Sequence, residues 1–206
     1  MPARTWGPAP PAERRRLIEG LLQSPAAAAQ FLVGQLLVRK IEARWIPVRI
    51  VETEAYLGVG DPAAHAFRGR TKRTEPLWGP PGTWYVYFIY GMHHCLNVSV
   101  EPRGTPGCVL IRAAEPLAGA SLGPLDCRGP GRLCKALGID RPVSGTSAFE
   151  VASGLYLREG ARPARIGTSP RIGIREAADL PLRFFDADSL AVSRAPTRGR
   201  KPPGSP

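Results

Sequence analysis

The chain has 206 residues, which suits one domain with a substantial core and leaves little room for two. Its 28 Lys and Arg against 17 Asp and Glu give a formal charge of +11, and only Lys40, Lys72, Lys135 and Lys201 are lysines. An arginine-led excess fits a nucleic-acid partner, because guanidinium forks grip phosphate oxygens in pairs, or else reflects an arginine-rich composition; no run approaches the ~20 apolar residues of a membrane span, so a soluble intracellular protein is expected.

In chain order, residues 1–11 are rich in Pro and Ala and are expected to be disordered. An apolar face at Leu17, Leu21 and Leu22 predicts a helix over 13–23. A second helix has Ser24 as N-cap and Pro25 at its first position and ends near Gly34, with Phe31 and Leu32 toward the core. Short β-branched or aromatic runs over 36–41, 48–55, 83–90, 95–100 and 109–113, bounded by Gly and Pro, predict strands. Gly129-Pro130-Gly131 leads into a short helix over 132–137 closed by Gly138, and strands are predicted again over 147–157 and 181–192. After Asp188 no acidic residue follows, and 193–206 are expected to form a disordered basic tail. The whole predicts a mixed domain over 12–192 built around antiparallel strands.

Cys95, Cys108, Cys127 and Cys134 stand at irregular spacings with no Cys/His pairing of the zinc-finger kind, so no metal site and no cofactor are expected. The apolar surroundings of Cys95 and Cys108 suit buried, reduced thiols in a reducing compartment.

Chemistry concentrates in residues 50–97. Glu52 and Glu54 lie two apart in a strand and so share one face, either as a pair that disfavours joint ionisation or as a solvated strand face. Tyr56, His65 and Tyr87 place flat rings near that strand. Arg68, Arg70, Lys72 and Arg73, interleaved with Gly69 and Thr71, form a loop that either tracks a phosphate backbone or is simply basic and exposed. Tyr90 beside Gly91, with Met92 following, sits at a strand reversal, where an aromatic side chain either wedges between base pairs or packs. Arg112 closes the 108–111 strand and requires either an anionic ligand or a partner such as Glu115.

Ordered along the chain, Arg49-Ile-Val-Glu-Thr-Glu-Ala-Tyr56, Asp61-Pro-Ala-Ala-His65, Arg68-Gly-Arg-Thr71, Gly79-Pro-Pro-Gly82, Tyr85-Val-Tyr87, Ile89-Tyr-Gly-Met92, Asn97 and Leu110-Ile-Arg-Ala-Ala-Glu-Pro116 resemble the 3-methyladenine DNA glycosylase family of the alkyladenine type. The likeness continues through 129–137, 170–174 and 182–185 and spans roughly residues 26–192.

The resemblance implies an α+β fold: a single mixed domain with a curved, largely antiparallel sheet, peripheral helices and a protruding β-hairpin. It implies a monomeric, monofunctional enzyme that flips alkylated or deaminated purines from double-stranded DNA and hydrolyses the N-glycosidic bond, leaving an abasic site. Glu54 would be the general base and Arg112 would help hold the water, with the Ile172 carbonyl as a third contact. Tyr56, His65 and Tyr87 would form the base pocket, Asn97 would crowd the exocyclic amine of guanine, and Tyr90 with Met92 would fill the gap in the duplex. Arg68, Arg70 and Arg73 would meet the DNA backbone. The compartment expected is the cytoplasm, on the nucleoid, in a bacterium, or the nucleus in a eukaryote. His93 and Arg175 depart from the family's usual residues. A damage-binding protein without turnover and a hydrolase of free nucleosides are the rival readings.

Overall fold

In the computed structural model, whose described residues are 6–193, the amino-terminal helices form where the apolar spacing predicts them. Helix α1 (Pro11–Leu21) buries Leu17 and Leu21 against the core. It opens on proline, whose missing N–H is no loss in a first turn. Helix α2 (Pro25–Leu32) is capped by Ser24, whose Oγ accepts the Ala27 N–H at 3.3 Å. Leu32 is fully buried, and Phe31 packs against the core from a partly buried position. The expectations for residues 1–5 and 194–206 lie outside the described residues.

The strands are β1 (Leu36–Ile41), β2 (Arg44–Tyr56), β3 (Trp84–Ile89), β4 (His93–Ser99), β5 (Cys108–Pro116), β6 (Leu155–Arg158), β7 (Ile166–Ser169) and β8 (Arg183–Asp186). They join in the order β3-β4-β5-β2-β1-β6, with β8 attached to β2 and β7 to β8, and each of these pairings is antiparallel. The result is a single α+β domain around a strongly curled sheet.

Strand β2 organises the site. Its first half pairs with β1 and its second half with β8, while β5 runs along the other edge with register shifts on both sides of Glu52. Such irregularities bend a strand and increase its twist. Helix α2 covers one face, where the Thr53 hydroxyl donates to the Ala29 carbonyl at 2.8 Å and Ala55 joins the core. Strand alternation therefore turns Glu52, Glu54 and Tyr56 to the other face. The core itself is anchored by Trp84, whose indole N–H donates to the Leu155 carbonyl at 3.0 Å, and by Leu96, Ile111 and Leu133.

The structure corrects several expected boundaries. Arg112 lies inside β5, which continues to Pro116, because β2 pairs with that whole length. Of residues 147–157, only the last three enter a strand; a 3-10 turn at Val151–Ser153 ends at Gly154 with φ +66, which reverses the chain. Of 181–192, only Arg183–Asp186 pairs. The third helix, α3 (Pro130–Ala136), starts two residues earlier than expected because Pro130 takes its first position.

Candidate active site

At the centre lies Glu54, with no exposed surface. Its Oε1 accepts the Ile172 N–H at 2.7 Å and faces Arg112 Nη1 at 3.2 Å, while Oε2 accepts the Tyr56 hydroxyl at 3.0 Å. Burial raises the Glu54 pKa; Arg112, the Ile172 amide and Tyr56 pull it back only in part, and Glu52 adds a small upward push. Spacing alone suggested that the two carboxylates set each other's ionisation. Desolvation is instead the first cause.

Arg112 does not pair with Glu115. Its Nε donates to Glu52 Oε1 at 3.0 Å, so the one guanidinium spans both carboxylates. Glu115 turns to Arg49 on the neighbouring strand, at 2.5 Å. The contact to Glu54 near residue 172 is made by the Ile172 amide, which donates a hydrogen bond.

Tyr56, Arg112 and Ile172, the three residues that contact Glu54, line a cleft of about 360 Å³. His65, Tyr85, Tyr87, Tyr90, His93, Cys95 and Asn97 line it as well. The His65 and Tyr87 rings meet edge to face with centroids 4.4 Å apart, and Tyr85 lies 5.6 Å from Tyr87. His65 Nδ1 is 2.9 Å from the Tyr85 hydroxyl. Desolvation of the imidazole in the cleft, helped by Arg73, lowers the His65 pKa to about 4. At neutral pH the ring is therefore uncharged, with one N–H to donate. Asn97 is buried, and its amide donates to the Tyr85 carbonyl at 3.3 Å.

The hairpin between β3 and β4 turns on Tyr90 (φ 55) and Gly91 (φ 67). Tyr90, Gly91 and Met92 separate the paired Ile89 and His93, and the Met92 N–H donates to the Ile89 carbonyl at 3.3 Å, which makes Tyr90 and Gly91 the central residues of the turn. Tyr90 is 79% exposed and Met92 68%. Of the basic loop, Arg68 and Lys72 are exposed, and Arg70 is held by Glu75 at 2.5 Å. Arg73 is exposed as well and lies 5.8 Å from the Tyr87 ring centre.

Residues 19–190 match the family described as methylpurine-DNA glycosylase. The chain belongs to that family. It is a DNA glycosylase, a hydrolase of the N-glycosyl bond that acts on DNA. It is 44% identical over 183 residues to a protein of Methanocella arvoryzae that carries the provisional name 3-methyladenine DNA glycosylase, covering 82% of this chain and 90% of that one. Likeness to proteins of the same name from Myxococcus xanthus (43% identity, 91% and 98% covered) and Chlorobium phaeovibrioides (46%, 81% and 90%) is as extensive.

Sequence reasoning missed two supports of the cleft, a buried ion pair and a tyrosine. Arg171 and Asp61 form a fully buried pair, with Arg171 Nη2 donating to Asp61 Oδ1 at 2.9 Å. Arg171 also donates to the Ala55 carbonyl and lies 4.7 Å from the Tyr56 ring centre. Tyr85 likewise went unassigned, although its two-residue spacing from Tyr87 signals a shared strand face. All four cysteines are buried and free of disulfides. Among the described residues, no group of three or more His, Cys, Asp or Glu is placed to hold a metal ion, and no helix is long and apolar enough to cross a membrane.

Proposed function

We propose that this protein acts as a monomer on duplex DNA, removes alkylated or deaminated purines and leaves an abasic site. The observation that carries this reading is the buried Glu54 carboxylate, bonded directly to three residues of an aromatic cleft. A carboxylate offers about four acceptor positions, three of them occupied here, and the fourth is the one a water proton would use. Glu54 then takes the proton as the water oxygen attacks the sugar carbon, while Arg112 orients the water and Glu54 offsets the developing positive charge.

The flipped base enters between Tyr56, His65 and Tyr87. A cationic 3- or 7-alkylpurine is attracted to the tyrosine faces and leaves as a neutral molecule, so it needs no acid. A neutral lesion needs hydrogen-bond help, which the remaining N–H of uncharged His65 supports when Tyr85 donates to Nδ1. Asn97, held by its hydrogen bond to the Tyr85 carbonyl, would crowd an exocyclic amine of guanine. The exposed Tyr90 and Met92 suit the filling of the vacated stack, and Arg68, Arg70 and Arg73 suit the neighbouring phosphates.

The test is abasic-site formation in methylated duplex DNA in the presence of EDTA, with Glu54→Gln beside the wild type. The expected result is loss of release with DNA binding retained in the variant. A folded wild type that releases no damaged purine, or a Glu54→Gln protein of full activity, would refute the assignment.

A further inference from the structure

Glu52 is a second fully buried carboxylate that the proposed chemistry leaves without a role. Its Oε1 accepts from Arg112 Nε at 3.0 Å, Arg183 Nε at 2.6 Å and the Ser193 hydroxyl at 2.8 Å, and its Oε2 accepts the Ser193 N–H at 2.6 Å. A surplus buried charge is costly, and a carboxylate this fully bonded between two arginines is fixed in place. Arg112 is the element they share: its Nε edge rests on Glu52, its Nη1 faces Glu54, and it lines the cleft.

We infer that Glu52 is a positioning residue of the glycosylase reaction, acting through Arg112. It clamps the Nε edge so that the opposite edge of the guanidinium meets Glu54 and the water. It also takes part of the Arg112 charge, which keeps Glu54 basic enough to accept a proton. Arg183, at the Glu54-paired position of β8, balances Glu52 in turn. The groups facing Glu54 are Arg112 from β5, Tyr56 and Glu52 from β2, the Ile172 amide from the following loop, and the Cys95 thiol from β4; Arg183 and Arg171 stand behind them.

This inference rests on Glu54 as base, and single-turnover release of methylated purine across pH tests it. Glu52→Gln removes the charge but keeps the shape. Its acid limb is expected to move down by about one pH unit, because Glu54 then feels Arg112 undivided, and its plateau rate to fall about tenfold or more as Arg112 loosens. Glu52→Asp keeps the charge at shorter reach: the limb stays while the rate falls. Arg183→Gln leaves Arg112 as the cation that balances Glu52, so its limb moves up. Opposite shifts are not what simple destabilisation produces.

If Glu52→Gln does not fold, the other two variants carry the test. Folded Glu52→Gln or Arg183→Gln protein whose limb stays at the wild-type position would overturn the inference. So would a limb that moves in the wrong direction. Glu54→Gln in the same assay keeps the two ideas apart: full activity there defeats the choice of base, whereas its loss beside unmoved limbs defeats only the role of Glu52.

Discussion

Ionising Glu54 inside the protein costs free energy, since burial raises its pKa more than Arg112, the Ile172 amide and Tyr56 lower it. The native state then binds the Glu54 proton more tightly than the unfolded chain does. Stability attributable to this group is therefore fully present below the unfolded pKa and lost as pH rises through the raised native one. Glu54→Gln is expected to raise Tm near pH 7.5 by about 2–4 °C for each kcal/mol relieved, while abolishing release; thermal unfolding at pH 7.5 and pH 4 checks it, with a smaller gain at the acid end. As the proposed base, the same carboxylate would have to be ionised to act, so release should fall toward acid pH through a limb above the ordinary carboxylate range. His65, lowered to about 4, is neutral near pH 7. His65→Phe keeps a ring and removes the donor. It is expected to lower release of a neutral lesion such as hypoxanthine by about tenfold or more, and that of a cationic methylated base much less; competition between the two substrates in one reaction measures the ratio.

Between residues and the whole stand the elements that carry these side chains, and the β3–β4 hairpin is the most exposed of them. Tyr90 holds φ 55, a region that costs a β-carbon-bearing residue about 1 kcal/mol or more, and glycine adopts it freely. Tyr90→Gly is therefore expected to stabilise the fold while lowering release from duplex DNA; denaturant midpoints and single-turnover rates read the two effects separately, and unchanged activity would remove the wedge role. The second element is the 57–63 loop with the 170–174 segment, joined by Asp61 and Arg171. Burial pushes Asp61 up, but Arg171 and the Leu57 and Ala63 amides hold it below the usual carboxylate range. This stability is present above the unfolded pKa and lost as pH falls through the lowered one. Asp61→Asn, which strands a buried guanidinium, is expected to cost about 3–5 kcal/mol by chemical denaturation. Nothing local in the sequence announces that pair, whose partners are 110 positions apart and meet only through the fold. Strand β7 was equally illegible: Ile166-Gly167-Thr168-Ser169 has no alternation and becomes a strand by pairing with β8. Strands β1 to β5 were legible because their apolar runs end at turn residues. Glu54 and Tyr56 were legible because their strand spacing and the family motif agree.

At the scale of the whole molecule, the charge of +11 acts at a distance that no single contact in the cleft does. It is expected to draw the protein to any duplex, damaged or not, through phosphate neutralisation and counterion release. On the proposed reading the cleft discriminates only after that encounter, and stacking on Tyr56 and Tyr87 and the geometry at Glu54 would carry little dependence on bulk salt. Affinity for undamaged duplex should therefore fall steeply and linearly in log–log salt plots, with a slope of about −0.9 per phosphate neutralised. Arg68 is exposed in the 68–73 loop, whereas Arg70 already faces Glu75 and Arg73 lies against Tyr87. Arg68→Ala is expected to weaken damaged and undamaged duplex alike and to flatten the slope by about one. Tyr90→Ala, which removes no charge, should leave the slope unchanged and lower binding to damaged duplex alone. Fluorescence-anisotropy titrations of both variants over a range of salt concentrations decide the matter. A slope that Arg68→Ala leaves untouched would put the phosphate track elsewhere on the surface, and a loss of slope in Tyr90→Ala would mean that hairpin insertion is what brings the backbone into contact.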